Sequence, residues 1–182
     1  MRKVNAILGI FILAAFLCHA VIGAGEMTGL IDGGNMIGKV AAHAMVTALF
    51  LHIIIGVKLT ADTLIAIKRS GANYFKDNLL FWTRRISGFA MIFFIIAHYL
   101  VFIGDNSSGV YRLNEFGVTE LVMAILLIVS LLIHIITNIR PLMLALGSSK
   151  GHRKIAAAVF TASVILLLLG GAFVVYFIRW LA

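Results

Sequence analysis

Five apolar segments, each long enough to cross a lipid bilayer as a helix, dominate the 182-residue sequence. They lie at about residues 4–25, 36–58, 79–103, 119–146 and 155–180. A bilayer core requires about 20 consecutive apolar residues, and a helix is the one structure besides a closed barrel that pairs its whole backbone in lipid. With 62% hydrophobic and 12% charged residues, the composition is not that of a soluble domain. The sequence predicts an all-α membrane protein with five transmembrane helices, in which residues 1–182 form a single domain.

The distribution of charge predicts how this bundle is oriented. If the N-terminus lies in the cytoplasm, twelve of the fifteen Lys and Arg residues fall on the inner side. These are Arg2, Lys3, Lys58, Lys68, Arg69, Lys76, Arg84, Arg85, Arg140, Lys150, Arg153 and Lys154, whereas Lys39, Arg112 and Arg179 fall outside. An excess of cations in cytoplasmic loops indicates an N-in, C-out topology. The net charge of +8 therefore reflects topology and does not indicate nucleic-acid binding.

Little of the chain lies outside the apolar segments. The basic and polar stretch 60–76 can continue the second helix as an amphipathic segment that turns at Gly71. Since no repeat or extramembrane domain is visible, the catalytic surface of any enzyme must be supplied by another chain. The single cysteine, Cys18, excludes an intrachain disulfide and a cysteine-based iron–sulfur or zinc site. The pattern Cys-x-x-Cys-His is also absent, so any haem is held without thioether links.

Five of the six histidines lie within the apolar segments. They are His19, His43, His52, His98 and His134. One such histidine alone is better interpreted as a neutral imidazole bonded to a backbone carbonyl. Five together indicate function, because polar side chains are costly at membrane depth. One histidine from each of the first four helices is the arrangement that two six-coordinate haems require.

Depth in the membrane groups four of these histidines into two pairs. In the N-in topology, His19 and His98 lie about six residues from the outer ends of their helices. His52 and His134 lie about as far from the inner ends. The two levels are separated by roughly 15 Å at ~1.5 Å per residue. The sequence thus predicts a bundle enclosing two b haems, through which electrons can cross the bilayer.

Other polar residues near these levels are weaker candidates. His43 is nine residues from His52, about 180° around the helix, so it can contact the outer haem, bind a quinone or replace His19 as a ligand. Glu26 follows His19 by seven residues and can accept a quinol proton, or is simply an interfacial carboxylate. Arg84 and Ser87 share a helix stripe with His98 and can contact haem propionates. The alternative for Arg84 and its neighbour Arg85 is ordinary anchoring at the inner rim.

In its helix count, orientation and histidines on helices one to four, the chain resembles the dihaem cytochrome b anchor subunit of succinate dehydrogenases and quinol:fumarate reductases, of the five-helix single-chain type. The segment Arg84-Arg85-Ile86-Ser87-Gly88, which opens the third helix, also resembles the Arg-x-Ser-Gly element of that superfamily.

The resemblance implies ligation of a distal haem by His19 and His98 and of a proximal haem by His52 and His134. It further implies menaquinone or menaquinol as substrate, a quinone site near Glu26 and His43, and a bacterial cytoplasmic membrane. The expected partners are a flavoprotein subunit with FAD and an iron–sulfur subunit, both on the cytoplasmic face. The chain itself then transfers electrons, while the dicarboxylate reaction belongs to the flavoprotein.

Two other functions stay open at this point. One is the b-type anchor of a nitrate reductase, formate dehydrogenase or hydrogenase, although some of those take haem ligands from the last helix, which here carries no internal histidine. The other is a small transporter whose histidines relay protons, and such a protein would be colourless when purified.

Overall fold

The computed structural model describes residues 1–70, 78–103, 115–147 and 152–181, and all its regular elements are helices. There are five of them, which are α1 (Arg2–Thr28), α2 (Met36–Ser70), α3 (Leu79–Phe102), α4 (Val118–Leu146) and α5 (His152–Leu181). Each contains an apolar stretch long enough to cross a membrane. The prediction of an all-α chain with five membrane-spanning helices is confirmed.

The second helix is longer than a bilayer requires. It has 35 residues and continues from the end of the apolar segment near Lys58 to Ser70. The prediction that the stretch after residue 60 extends this helix is confirmed, while its turn at Gly71 lies outside the described residues. At ~1.5 Å per residue, the extension adds roughly 18 Å of helix beyond the apolar segment. Its last turn carries Lys68 and Arg69, whose positive charge suits the negative end of the helix dipole.

Consecutive helices run in opposite directions, which gives the bundle two chemically different ends. We call the end at which α1, α3 and α5 begin the basic end, because Arg2, Lys3, Arg84, Arg85 and Lys154 lie there. We call the other end the far end. Of the cations that entered the topology prediction, Lys76, Arg112 and Lys150 lie outside the described residues. The N-in orientation itself stays a prediction.

The helices do not pack as a closed ring. Helix α1 is central, since it packs against α2, α5 and α4, while α4 also packs against α3 and α5. Among the described helices, α2 packs extensively against α1 alone. No extensive contact joins α2 to α3 within the described helices. Many large apolar side chains on the outer surface are exposed, including Phe50, Phe89 and Phe93, as lipid-facing residues are.

A cluster of aromatic rings closes the far end. Its centre is Phe116, which is 1% exposed and lies directly before α4. The Phe116 ring stacks on Phe173 of α5 at 6.4 Å between centroids and meets Tyr176 edge-on at 5.0 Å. Phe102 at the end of α3 contacts the same rings. The cluster thus joins the C-terminal ends of α3 and α5 to the start of α4.

The far ends of α1 and α5 are also connected by a charged hydrogen bond. Arg179 Nη1 of α5 donates to the carbonyl oxygen of Met27 at 2.8 Å. Gly29, which ends α1 in the left-handed region at φ 79°, lies against the same guanidinium. A cation at a helix C-terminus stabilises the unpaired carbonyls and the negative end of the dipole. Glycine is required here because the backbone conformation and the adjacent arginine both exclude a side chain.

Adjacent glycines on α5 provide a matched test of the α4–α5 contact. A methyl group at Gly170 would collide with the side chain of Ile128 on α4, whereas one at Gly171 would meet nothing within 4 Å. We expect Gly170→Ala to lower the thermal unfolding midpoint in detergent, because overpacking costs about 1–3 kcal/mol. Gly171→Ala should leave the midpoint unchanged or raise it, since alanine favours a helix by about 1 kcal/mol over glycine. Equal midpoints for the two variants would contradict this packing.

Candidate functional site

Two imidazole rings from different helices face each other near the far end. The centroids of His19 on α1 and His98 on α3 are 6.2 Å apart, and the ring planes are perpendicular at 90°. The Nδ1 atom of each ring is buried and makes no hydrogen bond within the described residues. Although the backbone of Gly38 on α2 approaches the His19 ring, no hydrogen bond of ordinary geometry forms to Nδ1. A buried ring nitrogen without a partner costs free energy.

Aromatic side chains separate this first pair from the far end. The ring of Phe102 lies 4.8 Å from that of His98, and the ring of Phe173 meets it edge-on at 5.9 Å. Both phenylalanines belong to the cluster around Phe116. His98 is thus covered by apolar rings on the side that faces the far end.

A second pair of imidazoles lies closer to the basic end. His52 on α2 and His134 on α4 are close enough to interact electrostatically. The Nδ1 atom of His52 is buried without a hydrogen bond within the described residues, although the backbone of Asn5 approaches the ring. Gly9 of α1 lies beside the same ring, and a Cβ at Gly9 would stand 4.0 Å from His52 Cε1. Nothing in the sequence marks Gly9, since small residues are common wherever membrane helices pack.

The imidazole of His134 lies against the first turns of α3. Its Nδ1 is 3.2 Å from the carbonyl oxygen of Arg84 and 3.3 Å from Ser87 Oγ. Gly88 permits this approach, because a Cβ there would be 3.2 Å from His134 Cε1. Helix periodicity predicts that Arg84, Ser87 and His98 share one stripe of α3. The start of this stripe contacts His134 of the second pair, and its end provides His98 of the first pair. Eleven residues separate Ser87 from His98, roughly 16 Å along α3.

Arg85 adds a cation at the level of the second pair. Its charge acts on both His52 and His134. The guanidinium lies over the Phe81 ring at 5.1 Å from the centroid, and its buried Nε makes no hydrogen bond within the part of the chain that the structure describes. An anionic group placed between these helices would therefore find both a charge and a free donor.

His43 is on a different surface from the four paired histidines. It is exposed, and its Nδ1 contacts the Lys39 carbonyl oxygen at 2.7 Å within the same helix. Together with Lys39 and Thr47 it lines an open surface cavity of about 470 Å³ near the start of α2. The ring opposite His98 belongs to His19, so the structure does not place His43 in that position.

Glu26 lies at the far end, close to the first turn of α2. Its Oε1 accepts a hydrogen bond from the backbone N–H of Asn35 at 2.8 Å. Asn35 Oδ1 in turn accepts from the N–H groups of Ile37 and Gly38, which caps α2. The carboxylate therefore fixes the loop between α1 and α2, while its second oxygen is available for another partner. The sequence places Glu26 at this depth but does not reveal the bond to Asn35.

The residues of the two pairs are suited to haem. A metal bound by two imidazoles, with bonds of about 2 Å each, separates the ring centres by about 6 Å once the rings' own radii are added. The separation of 6.2 Å between His19 and His98 has this size. No group of three His, Cys, Asp or Glu side chains converges within the described residues. Two histidines alone are a poor site for a bare metal ion, but they complete the coordination of an iron whose other four ligands are macrocycle nitrogens.

Comparison with known proteins identifies a family. The sequence model of a family described as succinate dehydrogenase/fumarate reductase transmembrane subunit matches residues 66–170. The matched region contains His98, His134 and the whole Arg84–Gly88 segment. No curated protein and no solved structure shows significant similarity to the chain.

Proposed function

Since the chain belongs to the succinate dehydrogenase/fumarate reductase transmembrane subunit family, we propose that it is the dihaem anchor that transfers electrons between a membrane quinone and catalytic partner subunits. The family and the five apolar helices make it an integral multi-pass membrane protein. The observation that carries the proposal is the pair of facing imidazoles, His19 and His98, at a separation that suits bis-histidine ligation.

In this proposal four histidines hold two haem b groups. His19 and His98 bind the distal haem, and His52 and His134 bind the proximal one. Bound haem iron supplies one-electron transfer between its ferric and ferrous states. The chain contributes the ligands, an apolar surrounding that excludes water, and Arg85, whose charge and free Nε suit a haem propionate. Arg84 and Ser87 have another role than contact with a propionate. The Arg84 carbonyl oxygen and the Ser87 hydroxyl both face the imidazole of His134.

The proposed quinone site lies at the far end, where Glu26 and His43 flank the loop between α1 and α2. Oxidation of menaquinol releases two electrons and two protons, so the site needs groups that accept protons near the membrane surface. Glu26 has one carboxylate oxygen engaged with Asn35, and the other can accept a proton. His43 uses Nδ1 in its own helix and leaves Nε2 for a ligand.

The partner subunits are proposed to dock at the basic end. A flavoprotein with FAD and an iron–sulfur subunit are water-soluble proteins, and the extension of α2 from Lys58 to Ser70 offers them a charged surface outside the apolar segment. The proximal haem is the nearer of the two to this end. An N-in orientation places that surface in the cytoplasm of a bacterium, with the chain in its cytoplasmic membrane.

Replacing single histidines tests the pairing. We expect a pyridine haemochrome assay of the purified wild-type complex to show two protohaems per chain. His19→Ala and His98→Ala should each remove the same haem, identified by its redox potential, because either change leaves the iron with one axial ligand. His52→Ala and His134→Ala should remove the other.

His43→Ala is the matched control for these variants, since His43 is also a membrane-embedded histidine of α2 but is exposed. It should retain both haems. A colourless wild-type protein would refute the proposed function, and loss of different haems in His19→Ala and His98→Ala would refute the pairing.

The proposed role of Glu26 can be tested with a substitution that preserves its structural bond. Glu26→Gln keeps an oxygen that accepts the Asn35 N–H but can no longer take a proton. We expect quinol-dependent turnover to fall about 100-fold, the size of a general-base contribution, while both haems keep their spectra.

Glu120→Gln is the control for this substitution, because Glu120 Oε2 likewise accepts a backbone N–H, that of Gly117, at the far end and at 2.8 Å. It should leave turnover unchanged. Equal turnover in the two variants would exclude Glu26 as the proton acceptor.

A further inference from the structure

Three groups in the first turns of α3 converge on one side of the His134 ring. The Arg84 carbonyl oxygen and Ser87 Oγ both lie within hydrogen-bonding distance of Nδ1, at 3.2 and 3.3 Å. Ser87 Oγ also lies 3.2 Å from the Arg84 carbonyl oxygen, to which its hydroxyl donates. Gly88 supplies the space, because a side chain there would press on the ring. The side chain of Ser87 is buried at 5% exposure.

This geometry determines which nitrogen of His134 carries the proton. A carbonyl oxygen can only accept a hydrogen bond, so Nδ1 at 3.2 Å from it must be the protonated nitrogen. The Ser87 hydroxyl gives its own hydrogen to the same carbonyl and therefore presents a lone pair to Nδ1–H. We assign the neutral imidazole of His134 as the Nδ1–H tautomer, whose Nε2 lone pair is free to bind a metal.

In the described part of the chain, the other three paired histidines have no such hydrogen bond at Nδ1, although the backbones of Gly38 and Asn5 approach the rings of His19 and His52. The Nδ1 atoms of His19, His52 and His98 are buried without a hydrogen bond within the described residues. One ring of the second pair is thus held by the protein through its outer nitrogen, and neither ring of the first pair is. Because acceptors on the far nitrogen of a ligating imidazole raise its basicity, the two pairs differ in the electron density that they offer a metal.

We propose that Ser87, acting together with the Arg84 carbonyl, is a positioning residue that fixes the tautomer and the orientation of His134 and thereby lowers the reduction potential of the haem that His52 and His134 bind. The inference rests on the proposed function, since it requires that haem. An acceptor on Nδ1–H makes the imidazole a stronger donor, which stabilises ferric over ferrous iron. Within the segment resembling the Arg-x-Ser-Gly element, Ser87 then acts on a haem ligand and not directly on a propionate, the role that Arg85 suits.

A redox titration of the intact complex, followed by absorbance at both haems, tests this role. In Ser87→Ala we expect both haems to be retained, the potential of the His52/His134 haem to rise, and that of the His19/His98 haem to stay unchanged. Gly88→Ala should raise the same potential by displacing the ring from both acceptors. The haem that shifts is identified independently as the one that His134→Ala removes.

Each variant has a control on α5. Ser163→Ala removes a buried hydroxyl that bonds only to the Val159 carbonyl of its own helix, and Gly171→Ala adds a methyl group in open space. Neither control should move a potential. A Ser87→Ala protein with two haems at wild-type potentials, or with both potentials shifted equally, would overturn the inference while leaving the proposed function intact. A wild-type protein without haem would overturn the proposed function itself.

Discussion

The main constraint on this structure is the free-energy cost of burying imidazole rings within a bundle of membrane-spanning helices. Each buried ring nitrogen must be paired or else it destabilises the fold, and hydrocarbon offers no water to satisfy it. At His134 the protein supplies acceptors from α3. At His19, His52 and His98 one nitrogen is left without a hydrogen bond within the described residues. Of the four paired rings, His134 is thus the one whose Nδ1 is paired within the described residues.

Helix packing leaves the two helices of each histidine pair apart. Among the described helices, α1 and α3, which carry His19 and His98, make no extensive contact, and neither do α2 and α4, which carry His52 and His134. Extensive packing instead joins α1 to α2 and α5, α3 to α4, and α4 to α5. At the far end, Arg179 and the cluster around Phe116 join the helix ends. The two helices of each histidine pair are thus held in place through other helices.

Much of this fold could be predicted from the sequence, because a membrane leaves few alternatives to an apolar helix. The five segments, their order and the continuation of α2 to Ser70 follow from length and hydrophobicity. The matched depth of His19 and His98 also follows from the sequence, and in the structure their ring centroids lie 6.2 Å apart. Orientation around a helix is harder, since lipid-facing and partner-facing sides are both apolar. The outward position of His43, the contact of Gly9 with His52 and the bond of Glu26 to Asn35 therefore emerge only from the structure.

The local sequence Arg-Ile-Ser-Gly shows why a motif does not by itself reveal its chemistry. Arginine, serine and glycine next to a membrane surface suggest contacts to an anion, such as a haem propionate. In the fold, the serine hydroxyl and the carbonyl of Arg84 both face His134, which is 47 and 50 residues away in the sequence. The glycine matters because a side chain in its place would press on the same ring. The charges of Arg84 and Arg85 both act on His134, and that of Arg85 also acts on His52. A single turn of helix can thus hold an imidazole with its backbone and present positive charge at the level where His52 and His134 meet.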